Sequence, residues 1–148
     1  MSDSFGTKFG AHLNTTRSLL ETAKSIGIDV VGVSFHVGSG CMDPMAYDDA
    51  VRRAKGVFEE GKALGFNFTL LDVGGGFPGT EKECGSDHFG QGNIRFEEIA
   101  DVLGKAIDAH FPDPNVRVIG EPGRYYAAPT FTLVTNITSR RVTNHVDK

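Results

Sequence analysis

The sequence is poor in the features that would cross-link it or anchor it elsewhere. Its 148 residues hold two cysteines, Cys41 and Cys84. That is too few for a disulfide framework, and the spacing is wrong for a Cys-x-x-Cys metal pair. No second His or Cys stands at ligand spacing from His36, so a zinc site is rejected and no metal is expected. No apolar run approaches the roughly 20 residues of a membrane span, and residues 1–10 lack the apolar stretch of a signal peptide. There is no basic excess either. The net charge is −4, with both signs spread along the chain, which argues against a nucleic-acid groove and against a charged tail. No low-complexity segment or linker interrupts it. The expectation is a soluble, mildly acidic, cytoplasmic protein, one domain at most. It is long enough to bury roughly two-thirds of its unfolded surface, and it has no nucleic-acid or membrane partner.

Glycine is plentiful, with 19 residues that concentrate after strand-like runs. Residues 14–27 have helical spacing through Leu19, Leu20, Ala23 and Ile26, with Asn14 or Thr15 as cap and Gly27 as stop. Residues 30–37 form a short β-branched run of the kind covered on both faces. Asp43-Pro44 then opens a helix over 44–64, with Ala50, Val51, Ala54, Val57 and Phe58 inward, ended by Gly65. The pattern repeats. A strand over 68–73 leads into a polar surface loop over 80–93. A helix over 96–111 follows, with Ile99, Val102, Leu103, Ala106 and Ile107 on one face, and then a strand over 116–120. Residues 131–137 alternate apolar residues with Thr and Asn, as a half-exposed antiparallel strand does. Strand–helix alternation predicts parallel βα units. Three such strands cannot close an eight-stranded barrel, and the chain is expected to be part of a longer protein.

Each parallel strand ends in a polar or glycine-rich turn. These are His36-Val37-Gly38-Ser39-Gly40-Cys41, Asp72-Val73-Gly74-Gly75-Gly76-Phe77-Pro78-Gly79 and Glu121-Pro122-Gly123-Arg124-Tyr125-Tyr126. In βα barrels the strand C-termini carry the active site and the last loops bind phosphate. Gly74-Gly75-Gly76 either cups an anion with its N–H groups or simply makes a tight turn. The Gly74-x-Gly76-x-x-Gly79 match to a dinucleotide fingerprint is discounted, because Pro78 and a long loop follow in place of a helix. Ser39 is a phosphate ligand or a turn serine. His36 is a core histidine or a flat ring against an aromatic cofactor. Glu121 and Arg124 hold a ring proton and a phosphate, or they pair with each other. Asp72 reads better as a brace for neighbouring backbone than as a substrate contact. Cys41 and Cys84 read as ordinary thiols.

These three segments, in this order, resemble the eukaryotic-type ornithine decarboxylases, which are fold-type III pyridoxal-phosphate enzymes. The likeness runs from about Lys8 to Leu133. It implies an α/β fold: the C-terminal part of a (β/α)8 TIM-type barrel over residues 1–124, then a connection over 125–148 into an antiparallel β-domain. It implies pyridoxal 5'-phosphate as cofactor, ornithine as substrate, a homodimer in the full protein, and antizyme as a further partner. His36 would stack on the cofactor ring, Glu121 would pair with the pyridine nitrogen, and Ser39, Gly76, Gly123 and Arg124 would bind the phosphate. Gly75 and Pro122 complete the expected cofactor-binding set.

The resemblance also implies what these residues omit. The family's Schiff-base lysine and proton-donating cysteine fall outside them, and none of Lys8, Lys24, Lys55, Lys62, Lys82, Lys105 or Lys148 stands in a matching motif. The chain alone is therefore expected to be inactive. Non-catalytic antizyme-inhibitor relatives share the fold, but Gly40 and Arg124 keep the enzyme pattern. The loop over 81–93 exceeds the family's usual link, and Pro129 stands where a small residue is expected.

Overall fold

A short central strand organises the chain. In the computed structural model, which describes residues 10–79, 94–132 and 134–140, β2 (Leu70–Asp72) lies between β1 (Gly32–Ser34) and β3 (Arg117–Ile119), parallel to both. Ser34, Asp72 and Ile119 form one row across the sheet. The strands approach so closely at Gly32 that an added Cβ would sit 1.9 Å from the Leu70 carbonyl oxygen.

Two long helices make the returns, α2 (Met45–Ala63) and α3 (Phe96–His110), and they pack against each other. Both match the periodicity in the sequence to within a residue at most ends. The shorter α1 (Thr16–Ser25) lies against α2. Thr15, one of the two expected residues, is its N-cap, without a side-chain cap bond, and a 3-10 turn, Leu13–Thr15, capped by the His12 side chain, precedes it. Gly27 and Gly65 end α1 and α2 with the same device. Each adopts positive φ, 76° and 83°. Around Gly65 the Phe66 N–H reaches the Gly61 carbonyl at 2.9 Å and the Gly65 N–H reaches that of Lys62 at 3.0 Å, the paired bonds of a Schellman motif.

The core lies between sheet and helices. Val51, Ala54 and Phe58 of α2 meet Ile99, Leu103 and Ala106 of α3 over Leu71 and Val73. The Phe58 ring packs edge-on against Phe68 and Phe111 at 5.2 and 4.8 Å. Gly61 serves this packing, since a Cβ there would strike the Phe68 ring at 2.5 Å. Ala50, Val57, Val102 and Ile107, expected inward, are only half-buried, whereas Tyr47 and Gly61 are buried.

Three expectations need correction. The strands are shorter than their apolar runs, and β1 is not covered on both faces, because Ser34 at its end is exposed. On α1, Leu19 and Ile26 are 53% and 66% exposed and only Leu20 is buried, so helical spacing there marks a face that the described residues cover only in part. Residues 131–137 form no strand among the described residues, and Phe131 and Val134 are more than 80% exposed. Alternation assigns faces, but a strand exists only where a neighbour takes its N–H and C=O groups. A short helix, α4 (Gly123–Ala127), runs across the expected division at 124/125 and continues into a 3-10 turn, Ala128–Thr130. The loop over 80–93, Cys84, Lys8, Lys82 and Lys148 lie outside the described residues. Among those described, no helix is long and apolar enough to cross a membrane.

Candidate functional site

Because Ser34, Asp72 and Ile119 share a row, the residues just beyond them emerge together at one edge of the sheet. The glycine turn after β2 joins the other two tips. The Glu121 N–H donates to the Gly74 carbonyl at 2.7 Å, and the Cys41 N–H donates to that of Gly76 at 3.1 Å. The Gly75 N–H donates to His36 Nδ1 at 3.1 Å. Only glycine fits this seam. An added Cβ would lie 2.0 Å from the Phe35 oxygen at Gly74, 2.7 Å from the Glu121 oxygen at Gly75 and 2.4 Å from the Gly38 oxygen at Gly76. Gly74 and Gly76 also hold φ of 63° and 99°, a region costly for residues with a Cβ.

Asp72 is the brace the sequence favoured. One carboxylate oxygen accepts from the Gly74 N–H at 2.9 Å and the other from the Ser34 hydroxyl at 3.1 Å. His36 is exposed, which removes the core reading. The bond from the Gly75 N–H to Nδ1 ties its ring to the glycine turn at the tip of β1.

Ser39 and Arg124, 85 residues apart, converge. Arg124 Nη2 donates to Ser39 Oγ at 2.9 Å, and both side chains are exposed. A guanidinium and a hydroxyl side by side form a donor pair suited to phosphate oxygens. Next to Arg124, a Cβ on Gly123 would meet nothing within 4 Å, so there is open space at this end. Glu121 is pinned by its backbone, its carbonyl accepting from the Gly123 N–H at 2.8 Å, and its carboxylate belongs to an exposed residue. Pro122 is half-buried between them. Cys41 is buried, and burial pushes its thiol pKa up, which fits an ordinary thiol. Among the described residues, no cluster of three His, Cys, Asp or Glu could hold a metal.

The structure therefore brings together His36, Ser39, Gly75, Gly76, Glu121, Pro122, Gly123 and Arg124 at one edge. It adds two residues that sequence reading missed, Ser34 on Asp72 and Tyr47, whose hydroxyl donates to the Gly75 carbonyl at 3.2 Å. A tyrosine on the inward stripe of α2 was the available signal, because a buried phenol needs a partner.

Residues 2–128 match the model of a family described as pyridoxal-dependent decarboxylase, pyridoxal binding domain. The chain belongs to that family. Ornithine decarboxylase of Cricetulus griseus is 52% identical over 136 residues, covering 91% of this chain and 28% of the relative. Antizyme inhibitor 2 of Xenopus laevis is 49% identical over 139 residues, covering 93% and 28%. Among solved structures, the agmatine-bound arginine decarboxylase of Paramecium bursaria Chlorella virus superposes with a TM-score of 0.70 at 37% identity, covering 81% of this chain and 30% of that one. The chain thus spans little more than a quarter of the curated relatives it matches.

Pyridoxal phosphate is the cofactor of a pyridoxal-dependent decarboxylase domain, and the residues present fit it. The Arg124–Ser39 donor pair beside the open space at Gly123 suits a doubly charged phosphate. The exposed His36 ring offers a flat face, and Glu121 offers an anion. All three lie on the edge joined by the glycine turn.

Proposed function

We propose that this chain is the cofactor-binding part of a decarboxylase that converts ornithine to putrescine in polyamine biosynthesis. The observation that carries the reading is the convergence of Ser39 and Arg124 on the strand edge organised by the glycine turn. Bound pyridoxal phosphate supplies an electron sink for the pair left on the α-carbon when carbon dioxide departs. The protein's own residues make that sink usable. Ser39, Gly76, Gly123 and Arg124 hold the phosphate, with Gly75 and Pro122 shaping the seam. His36 lies against the ring. Glu121 keeps the pyridine nitrogen protonated, since a nearby opposite charge favours the charged form.

On this reading the three-stranded sheet is one part of a (β/α)8 barrel whose other strands cover the exposed edges of β1 and β3. Residues 1–124 belong to that barrel, and residues 125–148 lead into an antiparallel β-domain where the exposed apolar residues Phe131 and Val134 find partners. The Schiff-base lysine and the proton-donating cysteine are supplied from outside these residues, the cysteine across a homodimer, in the cytoplasm. The relatives named above are ornithine decarboxylase, antizyme inhibitor and arginine decarboxylase. Antizyme is accordingly a proposed partner, and lysine and arginine are competing substrates.

The test is cofactor-dependent release of carbon dioxide by the full protein from ornithine, lysine and arginine in turn. Release from ornithine above the other two is expected. Cofactor binding without release from any of them would favour a non-catalytic homologue.

A further inference from the structure

Tyr47 has no place in the cofactor set, yet it sits directly beneath the glycine turn. It is fully buried in α2, its ring stacked on Phe77 at 5.2 Å and 20°. Packing alone would be served by phenylalanine. A buried hydroxyl must recover the hydration it loses, and this one does so by donating to the Gly75 carbonyl at 3.2 Å. Burial also raises the phenol pKa, with the nearby Cys41 adding to it, so the group remains a donor.

That bond constrains more than a carbonyl. A peptide unit is planar and trans, and no cis peptide occurs here. A Gly75–Gly76 peptide whose C=O turns inward to Tyr47 therefore turns the Gly76 N–H the opposite way, out of the core. The neighbouring groups are already committed: the Gly74 N–H to Asp72, the Gly75 N–H to His36, and the Gly76 carbonyl to the Cys41 N–H. The Gly76 N–H has no partner among the described residues. Gly76 itself lies against Gly38, where an added Cβ would be 2.4 Å from the carbonyl oxygen, one residue before Ser39.

We infer that Tyr47 is a positioning residue for the phosphate, its hydroxyl fixing the Gly75–Gly76 peptide so that the Gly76 N–H joins Ser39 and Arg124 as a donor. This rests on the reading of the strand edge as the pyridoxal-phosphate site. It adds a specific role for a helix residue that does not itself reach the cofactor.

The test compares wild type, Tyr47→Phe and Tyr47→Leu in the full protein stripped of cofactor. Each is titrated with pyridoxal phosphate and with pyridoxal, which lacks the phosphate, and melted without ligand. Tyr47→Phe keeps the ring packing. It is expected to lose about three- to tenfold in affinity for pyridoxal phosphate, the range for one hydrogen bond, and little for pyridoxal. Tyr47→Leu, which loses the ring as well, should melt well below Tyr47→Phe. An unchanged preference for pyridoxal phosphate over pyridoxal in Tyr47→Phe would overturn the inference. So would a Tyr47→Phe protein that does not fold, because the hydroxyl would then serve the fold itself. A wild type with no preference for the phosphorylated ligand would instead sink the reading of the site.

Discussion

The guanidinium of Arg124 donates to the hydroxyl of Ser39 across the ends of two strands that are not neighbours, β1 and β3. Both residues are exposed, so the contact adds little to stability, and its worth lies in what the pair can grip. Arg124→Ala in the full protein is expected to weaken pyridoxal-phosphate binding about tenfold to a hundredfold, the range for charged hydrogen bonds, with almost no change in the melting point of the cofactor-free protein. Arg124→Lys should restore only part, since an ammonium lacks the planar fork. Equilibrium titration decides it, and wild-type affinity in Arg124→Ala would remove the arginine from the phosphate site.

Glu121 is held by backbone bonds on both sides, so losing its carboxylate should leave the turn in place. Glu121→Ala is expected to reduce turnover much more than cofactor affinity, because the carboxylate acts on the ring's protonation rather than on the phosphate. Parallel measurement of kcat and the cofactor dissociation constant checks this. Normal turnover would refute the assignment.

The glycines divide into two kinds. Gly75→Ala and Gly76→Ala force a Cβ against backbone oxygens at 2.7 and 2.4 Å and should destabilise by about 1–3 kcal/mol. Gly76 adds the strain of its positive φ. Gly56, in α2, has open space at its Cβ position, so Gly56→Ala should stabilise by roughly 0.5–1 kcal/mol. Urea midpoints for the three variants give the comparison. A tolerated alanine at position 76 would mean that the seam is looser than described.

Burial raises the Cys41 thiol above its ordinary value of 9.0, which gives stability a definite sign with pH. The unfolded chain loses this proton first, so the contribution is complete below about pH 9 and declines as pH rises toward the folded value. Tyr47 acts in the same direction from its ordinary value of 10.0 upward. Denaturation midpoints should therefore fall as pH rises above about 9, and Cys41→Ala should flatten the first part of that fall. A slope unchanged by the substitution would assign the effect to other groups.

Much of this was legible in the sequence because it is local. The ends of α2 follow from Asp43-Pro44 and Gly65, whose cap bonds close within a few residues. The strand tips follow from polar and glycine turns after β-branched runs, and the choice of backbone brace for Asp72 follows from its place two residues before Gly74. What was not legible depends on distant partners. Leu19 and Ile26 have the spacing of a buried face, but spacing does not say what lies opposite. Residues 131–137 have the alternation of a strand, without a neighbouring ladder among the described residues. The Tyr47 hydroxyl finds its acceptor 28 residues away, a relation that α2's own pattern cannot encode.

The row Ser34–Asp72–Ile119 makes the molecule sensitive to length in some places and indifferent to it in others. Deleting one residue within β2 would draw its tip back by about 3.3 Å and turn every later side chain to the opposite face, parting the glycine turn from His36 and Glu121 at once. A residue added to the turn between α2 and β2, on the far side of the sheet from the site, leaves that row as it was. Insertions and deletions that survive in such a protein should therefore gather at the entrances to the strands, while the exits keep a fixed count.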